Sequence, residues 1–265
     1  MSVRYTTKRG KTVSMAATLS FTPEKGHIIL PFGDQMALLD TGSPSSISSH
    51  PFNFGGKRHT TPNQLMGFTT RQLSELAGIK IDILIGCDIL SRHKIRIRWQ
   101  EHSIDIGDDT PDGSIVDKMV SMMGCPIFPL RMAGESTKAL FDTGAHLSYI
   151  APALITGMAQ TGQKADFHPF NGHFTSPTFT VETALGGKAF TMEYGILSGE
   201  LGAAVDLTLN MTNTSAVIGT QLLEHFDCTF DWKEGRISWS TNKRINKKAT
   251  RQVANSLHRD ISNVF

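Results

Sequence analysis

Two aspartates stand out by what precedes and follows them. Asp40 closes an apolar run and is followed by Thr41, Gly42 and Ser43; Asp142 closes another and is followed by Thr143, Gly144 and Ala145. Two carboxyls held close together cannot both ionise, because the second charge would lie against the first, so one proton is shared between them over a working pH range. Such a pair is a base and an acid at once. Its ionised member can take a proton from a bound water while the protonated member donates to a carbonyl oxygen, and the roles reverse as a leaving amine departs. This chemistry requires neither metal nor cofactor, and none is expected. Gly42 and Gly144 suit loops whose backbone must approach a carboxylate closely, since a Cβ would hold the chain off.

The elements that must position these loops are repeated in the chain. Ile28 to Phe32, a short turn and Ala37-Leu38-Leu39 lead into Asp40; Ile127 to Leu130, a short turn and Ala139-Leu140-Phe141 lead into Asp142. Each reads as an apolar hairpin. Downstream, Ile83-Leu84-Ile85-Gly86 and the alternating Ile95 to Trp99 are matched by Ala216-Val217-Ile218-Gly219 and Cys228 to Trp232. Ile85-Gly86 and Ile218-Gly219 are expected to pass beside the acidic loops, with glycine permitting close backbone approach. The spacing from Asp to this glycine is 86 − 40 = 46 in one copy and 219 − 142 = 77 in the other, so the second carries about 77 − 46 = 31 extra residues. The added stretch, around Phe167 to Glu200, is rich in Thr, Phe and Gly and strand-like. A polar, turn-forming segment after Gly107 separates the copies. The organisation read from this is a first lobe over 1–112, a second lobe over 113–240 and a basic tail over 241–265.

The duplicated Asp-Thr-Gly loops and apolar-apolar-Gly strands, over about Ile28 to Trp239, resemble the pepsin-like and retropepsin-like aspartic peptidases. The resemblance implies an all-β fold: two pseudo-twofold-related acid-protease-like β-barrel lobes with short helices and a cleft between them. It implies an aspartic endopeptidase with catalytic Asp40 and Asp142, and a polypeptide substrate. The alternative is a weak or inactive module of the same fold that binds extended peptides. Thr41 and Thr143 would tie the loops together through their hydroxyls. Ser43 would donate to the outer oxygen of Asp40 and stabilise its charge, whereas Ala145 leaves Asp142 without that donor, so Asp142 would hold the proton. The chain departs from the family in having no Tyr between Asp40 and Gly86 to serve as a flap over the cleft. Cover is therefore expected from the insertion of the second lobe, around Phe170 to Gly187, ahead of a small first-lobe hairpin at Phe52 to Lys57.

Composition excludes other classes. A net charge of +2 gives no reason to expect nucleic acid as partner. No apolar run is long enough to span a bilayer, and no secretory leader is visible. Three widely spaced cysteines, Cys87, Cys125 and Cys228, suit a reducing compartment, and a cytoplasmic monomer is expected. Neither they nor the histidines show close metal-ligand spacing. Arg92, Lys94, Arg96 and Arg98 alternate along one strand face and are expected to be solvated, with His93 packed on the opposite face. Leu73 to Gly78 reads as a short helix closed by glycine.

Overall fold

Runs such as Ile28-Ile29-Leu30 and Ile83-Leu84-Ile85 lack polar alternation because both faces of their strands are covered; Ile28, Ile29, Ile83 and Ile85 have no exposed surface. In the computed structural model, residues 2–3 and 17–242 are described; the predicted basic tail beyond 242 lies outside them.

The first lobe is built on a five-stranded sheet with the spatial order Thr22–Glu24, His27–Phe32, Gln35–Leu39, Ile83–Ile85, Ile47–Ser48. His27–Phe32 and Gln35–Leu39 form the predicted hairpin, and Ile83–Ile85 joins it in parallel, Ile85 opposite Leu39. The second lobe repeats this core: Cys125–Met132 pairs with Glu135–Phe141, and Ala216–Ile218 lies parallel beside it, Ile218 opposite Phe141. Its sheet has eight strands because the insertion adds Gly162–His168, Gly172–Leu185 and Lys188–Gly195 at one edge. The insertion continues into a helix, Gly199–Thr212, that the sequence pattern does not announce.

A third sheet of seven strands underlies both lobes. At its centre the repeat mates Lys94–Arg98 and Phe226–Asp231 lie side by side and antiparallel, with Ile95 opposite Phe230 and Ile97 opposite Cys228. Equivalent strands that neighbour each other in antiparallel fashion are what a local twofold axis requires. Ile95 and Ile97 therefore share one core with Phe128, Phe141, Phe230 and Trp239, where the Phe128 and Trp239 rings lie 5.0 Å apart. The mostly β, two-lobed, pseudo-twofold architecture implied by the resemblance is the architecture found.

Of the basic stripe only Arg92, just before the strand, is exposed as expected; Lys94, Arg96 and Arg98 are half-buried and paired. Lys94 pairs with Asp112 at 2.9 Å and Asp231 at 3.6 Å, Arg96 with Asp227 at 3.6 Å, and Arg98 with Asp105 at 2.9 Å and with Glu101. These side chains lie under the carboxylates of neighbouring strands and turns, which a single-strand reading cannot see. His93 packs against Phe54 as expected, ring centroids 5.7 Å apart. The helix Thr70–Ala77 starts on a Thr69/Gln72 capping box and ends at Gly78 with φ +62°.

Candidate active site

Each Asp-Thr-Gly loop leaves the end of a strand at the junction of the lobes. Asp40 N–H donates to Ile85 O at 3.0 Å, and Asp142 N–H to Ile218 O at 2.9 Å, so the strands before Gly86 and Gly219 hold the first residue of each loop. Gly86 and Gly219 are needed for the approach: a Cβ on them would lie 2.6 Å from Ser45 O and 2.4 Å from His146 O. Their N–H groups donate to Ser46 Oγ at 2.8 Å and Ser148 Oγ at 3.0 Å. These serines, six residues after each aspartate, were not singled out from sequence, although their equal offset is a signal the repeat carries.

The threonines tie the lobes reciprocally. Thr41 N–H donates to Thr143 Oγ1 and Thr143 N–H to Thr41 Oγ1, both at 3.0 Å. Thr41 Oγ1 in turn donates to Phe141 O and Thr143 Oγ1 to Leu39 O, both at 2.7 Å. All four bonds are buried, so every hydroxyl both gives and receives.

The two carboxyls meet across this tie. A Cβ built on Gly42 would lie 2.2 Å from Cγ of Asp142, and one on Gly144 would lie 2.5 Å from Cγ of Asp40, so each carboxyl rests on the backbone of the opposite loop. Gly42 and Ser43 N–H donate to Asp40 Oδ1 at 2.9 Å, and Gly144 N–H to Asp142 Oδ1 at 2.8 Å. Burial pushes both carboxyls above the ordinary carboxylate range. The Asp142 charge and hydrogen bond push Asp40 higher still, while backbone N–H groups of Gly144, Ala145 and Gly42 favour the charged form of Asp142. The two carboxyls therefore titrate as a pair that shares one proton. The Ser43 hydroxyl donates to Ser45 O at 2.8 Å, so its expected contribution to an ionised Asp40 is absent.

Cys87 and Cys125 do more than fill space. The Cys87 thiol donates to Thr41 O at 3.2 Å and the Cys125 thiol to Gly42 O at 3.4 Å, beneath the first acidic loop. The hydrogen bond with the Cys125 thiol, and then burial, push the Cys87 thiol up and favour its neutral S–H form, the form able to donate. Cys228 is packed in the core at no exposed surface. Among the described residues, no group of three or more His, Cys, Asp or Glu side chains has the geometry to hold a metal ion.

Asp40 and Asp142 lie on the floor of a cleft of about 360 Å³. Its walls are mainly apolar, with Ile47, Leu65, Phe68 and Leu84 from the first lobe and Phe167, Phe174, Leu201 and Val205 from the second. The cover comes from the second lobe, as expected. The hairpin of Gly162–His168 and Gly172–Leu185 carries Pro169 and Phe170 over the cleft, beginning several residues earlier than the predicted stretch. The Phe52-to-Lys57 hairpin is real, but Phe52 and Phe54 are buried in the core and it takes no part in the cleft. A smaller hairpin, Gln64–Leu65 with Phe68–Thr69, supplies the first-lobe side instead; Phe68 meets Phe170 at 5.8 Å.

Two solved structures can be compared with this architecture. The chain is similar to an aspartic proteinase from Irpex lacteus, with 12% identity and a TM-score of 0.43 over 86% of this chain and 98% of that one. It is also similar to Basic 7S globulin from soybean, with 9% identity and a TM-score of 0.44 over 86% and 95% of the two chains. No protein-family model and no curated protein matches the chain. Likeness at this level carries no argument about activity, which rests on the site itself.

Proposed function

We propose that the chain is an aspartic endopeptidase that hydrolyses a peptide bond by means of water activated between Asp40 and Asp142. The observation that carries this reading is the placement of each carboxyl against the glycine of the opposite loop, which brings two buried carboxyls close enough to share a proton. The ionised Asp142 takes a proton from the water as it attacks the scissile carbonyl carbon. Protonated Asp40 donates to the carbonyl oxygen, giving a neutral gem-diol. Asp142 then gives its new proton to the amine nitrogen as the C–N bond breaks, while Asp40 takes a hydroxyl proton from the gem-diol as the product carboxyl forms, so the pair again holds one proton. Thr41 and Thr143 hold the loops in register, and Gly42 and Gly144 allow the approach.

The apolar walls and the Phe170 cover favour an extended polypeptide whose side chains fill the cleft and exclude bulk water. Cleavage of a mixture of denatured polypeptides tests the reading. Asp40→Asn and Asp142→Asn are each expected to lower turnover by roughly a thousandfold or more, with the fold retained by circular dichroism. Peptides that bind the wild-type protein without being cut at any pH from 3 to 8 would instead favour the binding-module reading.

A further inference from the structure

Away from the aspartates on its floor the cleft has mainly apolar walls, and the titratable side chains on them are His27, Tyr149, Asp166 and His168. Asp166, near the start of the covering hairpin, lines the same cleft as the two catalytic aspartates. Its carboxylate is oriented by the Tyr149 hydroxyl, which donates to Oδ2, and by the Phe167 N–H, which donates to Oδ1 at 2.8 Å. No lysine or arginine lines the cleft among the described residues. The nearby Lys164 pairs with Glu193 at 3.2 Å, and Lys25 donates to Ala77 O at 2.8 Å. Asp166 itself has no salt-bridge partner among the described residues.

A second group borders the same corner of the cleft from the other lobe. His27 opens the first strand of the first-lobe hairpin, is 6% exposed and lines the cleft. Its Nδ1 is buried without a hydrogen-bond partner among the described residues. The ring is fixed in place because the preceding Gly26 docks on the second lobe: Thr220 Oγ1 donates to Gly26 O at 2.6 Å, and a Cβ on Gly26 would strike the His146 ring at 2.1 Å. Beside it lies Phe167, the residue after Asp166, with ring centroids 6.1 Å apart. Burial holds the imidazole in its neutral form, so Nδ1 can accept a hydrogen bond when Nε2 carries the proton. A buried acceptor without a donor is costly, and a half-buried carboxylate without a cation is a ready partner for one.

We propose that the cleft receives a lysine or arginine side chain of the polypeptide next to the scissile bond, its cationic head held by Asp166 beside the neutral His27 ring. This inference rests on the peptide-binding reading of the cleft and adds a charge preference to it. Tyr149 acts through Asp166 as a positioning residue.

The test uses two synthetic peptides that differ only in a lysine replaced by norleucine, the uncharged straight-chain analogue, scanned through the positions flanking the cut. For the wild-type protein, kcat/KM and the Kd from fluorescence anisotropy are expected to favour lysine by about tenfold at one position. Asp166→Asn should reduce that ratio to about twofold or less, and His27→Leu should narrow it partway. A purely structural role for Asp166 would instead weaken both peptides alike and leave the ratio intact, which overturns the proposal, as does equal wild-type affinity for both peptides at every position. Binding with the expected Kd ratio but no cleavage would sink the peptidase reading while leaving the charge preference supported.

Discussion

Replacing Gly144 with alanine tests the shared-proton geometry at its tightest point. The backbone there has no positive φ, so the substitution costs nothing in intrinsic conformation and acts only through its Cβ. That atom would lie 2.5 Å from Cγ and 2.6 Å from both oxygens of Asp40. Ordinary carbon contacts begin near 3.5 Å, so the Asp40 carboxyl must withdraw by about 1 Å. A displacement of that size between reacting groups can cost about a hundredfold in rate. It also weakens the mutual perturbation of the two carboxyls, so the pH range over which one proton is shared should narrow from its alkaline side. Steady-state kinetics across pH 3 to 9, with thermal unfolding as a check on folding, reads both effects. Gly42→Ala, whose Cβ would lie 2.2 Å from Cγ of Asp142, should behave in the same way. Wild-type kcat in either variant, with an unaltered pH profile, would show that the carboxyls do not need the contact and would refute the reasoning.

Further expectations follow from neighbouring contacts. Thr143→Val removes a hydroxyl that accepts from Thr41 and donates to Leu39, leaving two buried backbone groups unpaired; urea unfolding should show a loss of about 3 kcal/mol. Asp40 has a raised folded-state pKa, so its contribution to stability is present below the unfolded value and is lost as pH rises through the folded value. The wild type should therefore lose stability relative to Asp40→Asn as the pH rises above about 4, by up to about 1.4 kcal/mol per pH unit, and parallel melting curves for the two proteins would count against this. Phe170→Ala removes the covering ring that meets Phe68 and should raise KM roughly threefold to tenfold with little change in kcat.

Much of the architecture was legible because it is written twice. The apolar hairpins before Asp40 and Asp142, the strands ending at Gly86 and Gly219, and the insertion in the second copy are local patterns, and repetition distinguishes them from chance. The need for Gly42 and Gly144 was readable from the same loops. What the local pattern could not supply was the partner of each polar atom. Ser43 has two oxygens within reach of its turn, and only the folded loop shows its hydroxyl committed to Ser45 O rather than to Asp40. The stripe from Lys94 to Arg98 looked solvated because carboxylate partners such as Asp112, Asp227 and Asp231 come from distant segments. His27 and Asp166 are 139 residues apart (166 − 27) and belong to different lobes, so no spacing rule links them. The amino-acid sequence alone determined the strands and the acidic loops, because periodicity and glycine placement act over a few residues. The tertiary structure decided that the two aspartates share a proton, what covers the cleft and which acceptors border it, because hydrogen bonding and burial depend on atoms brought together only by the packing of the two lobes.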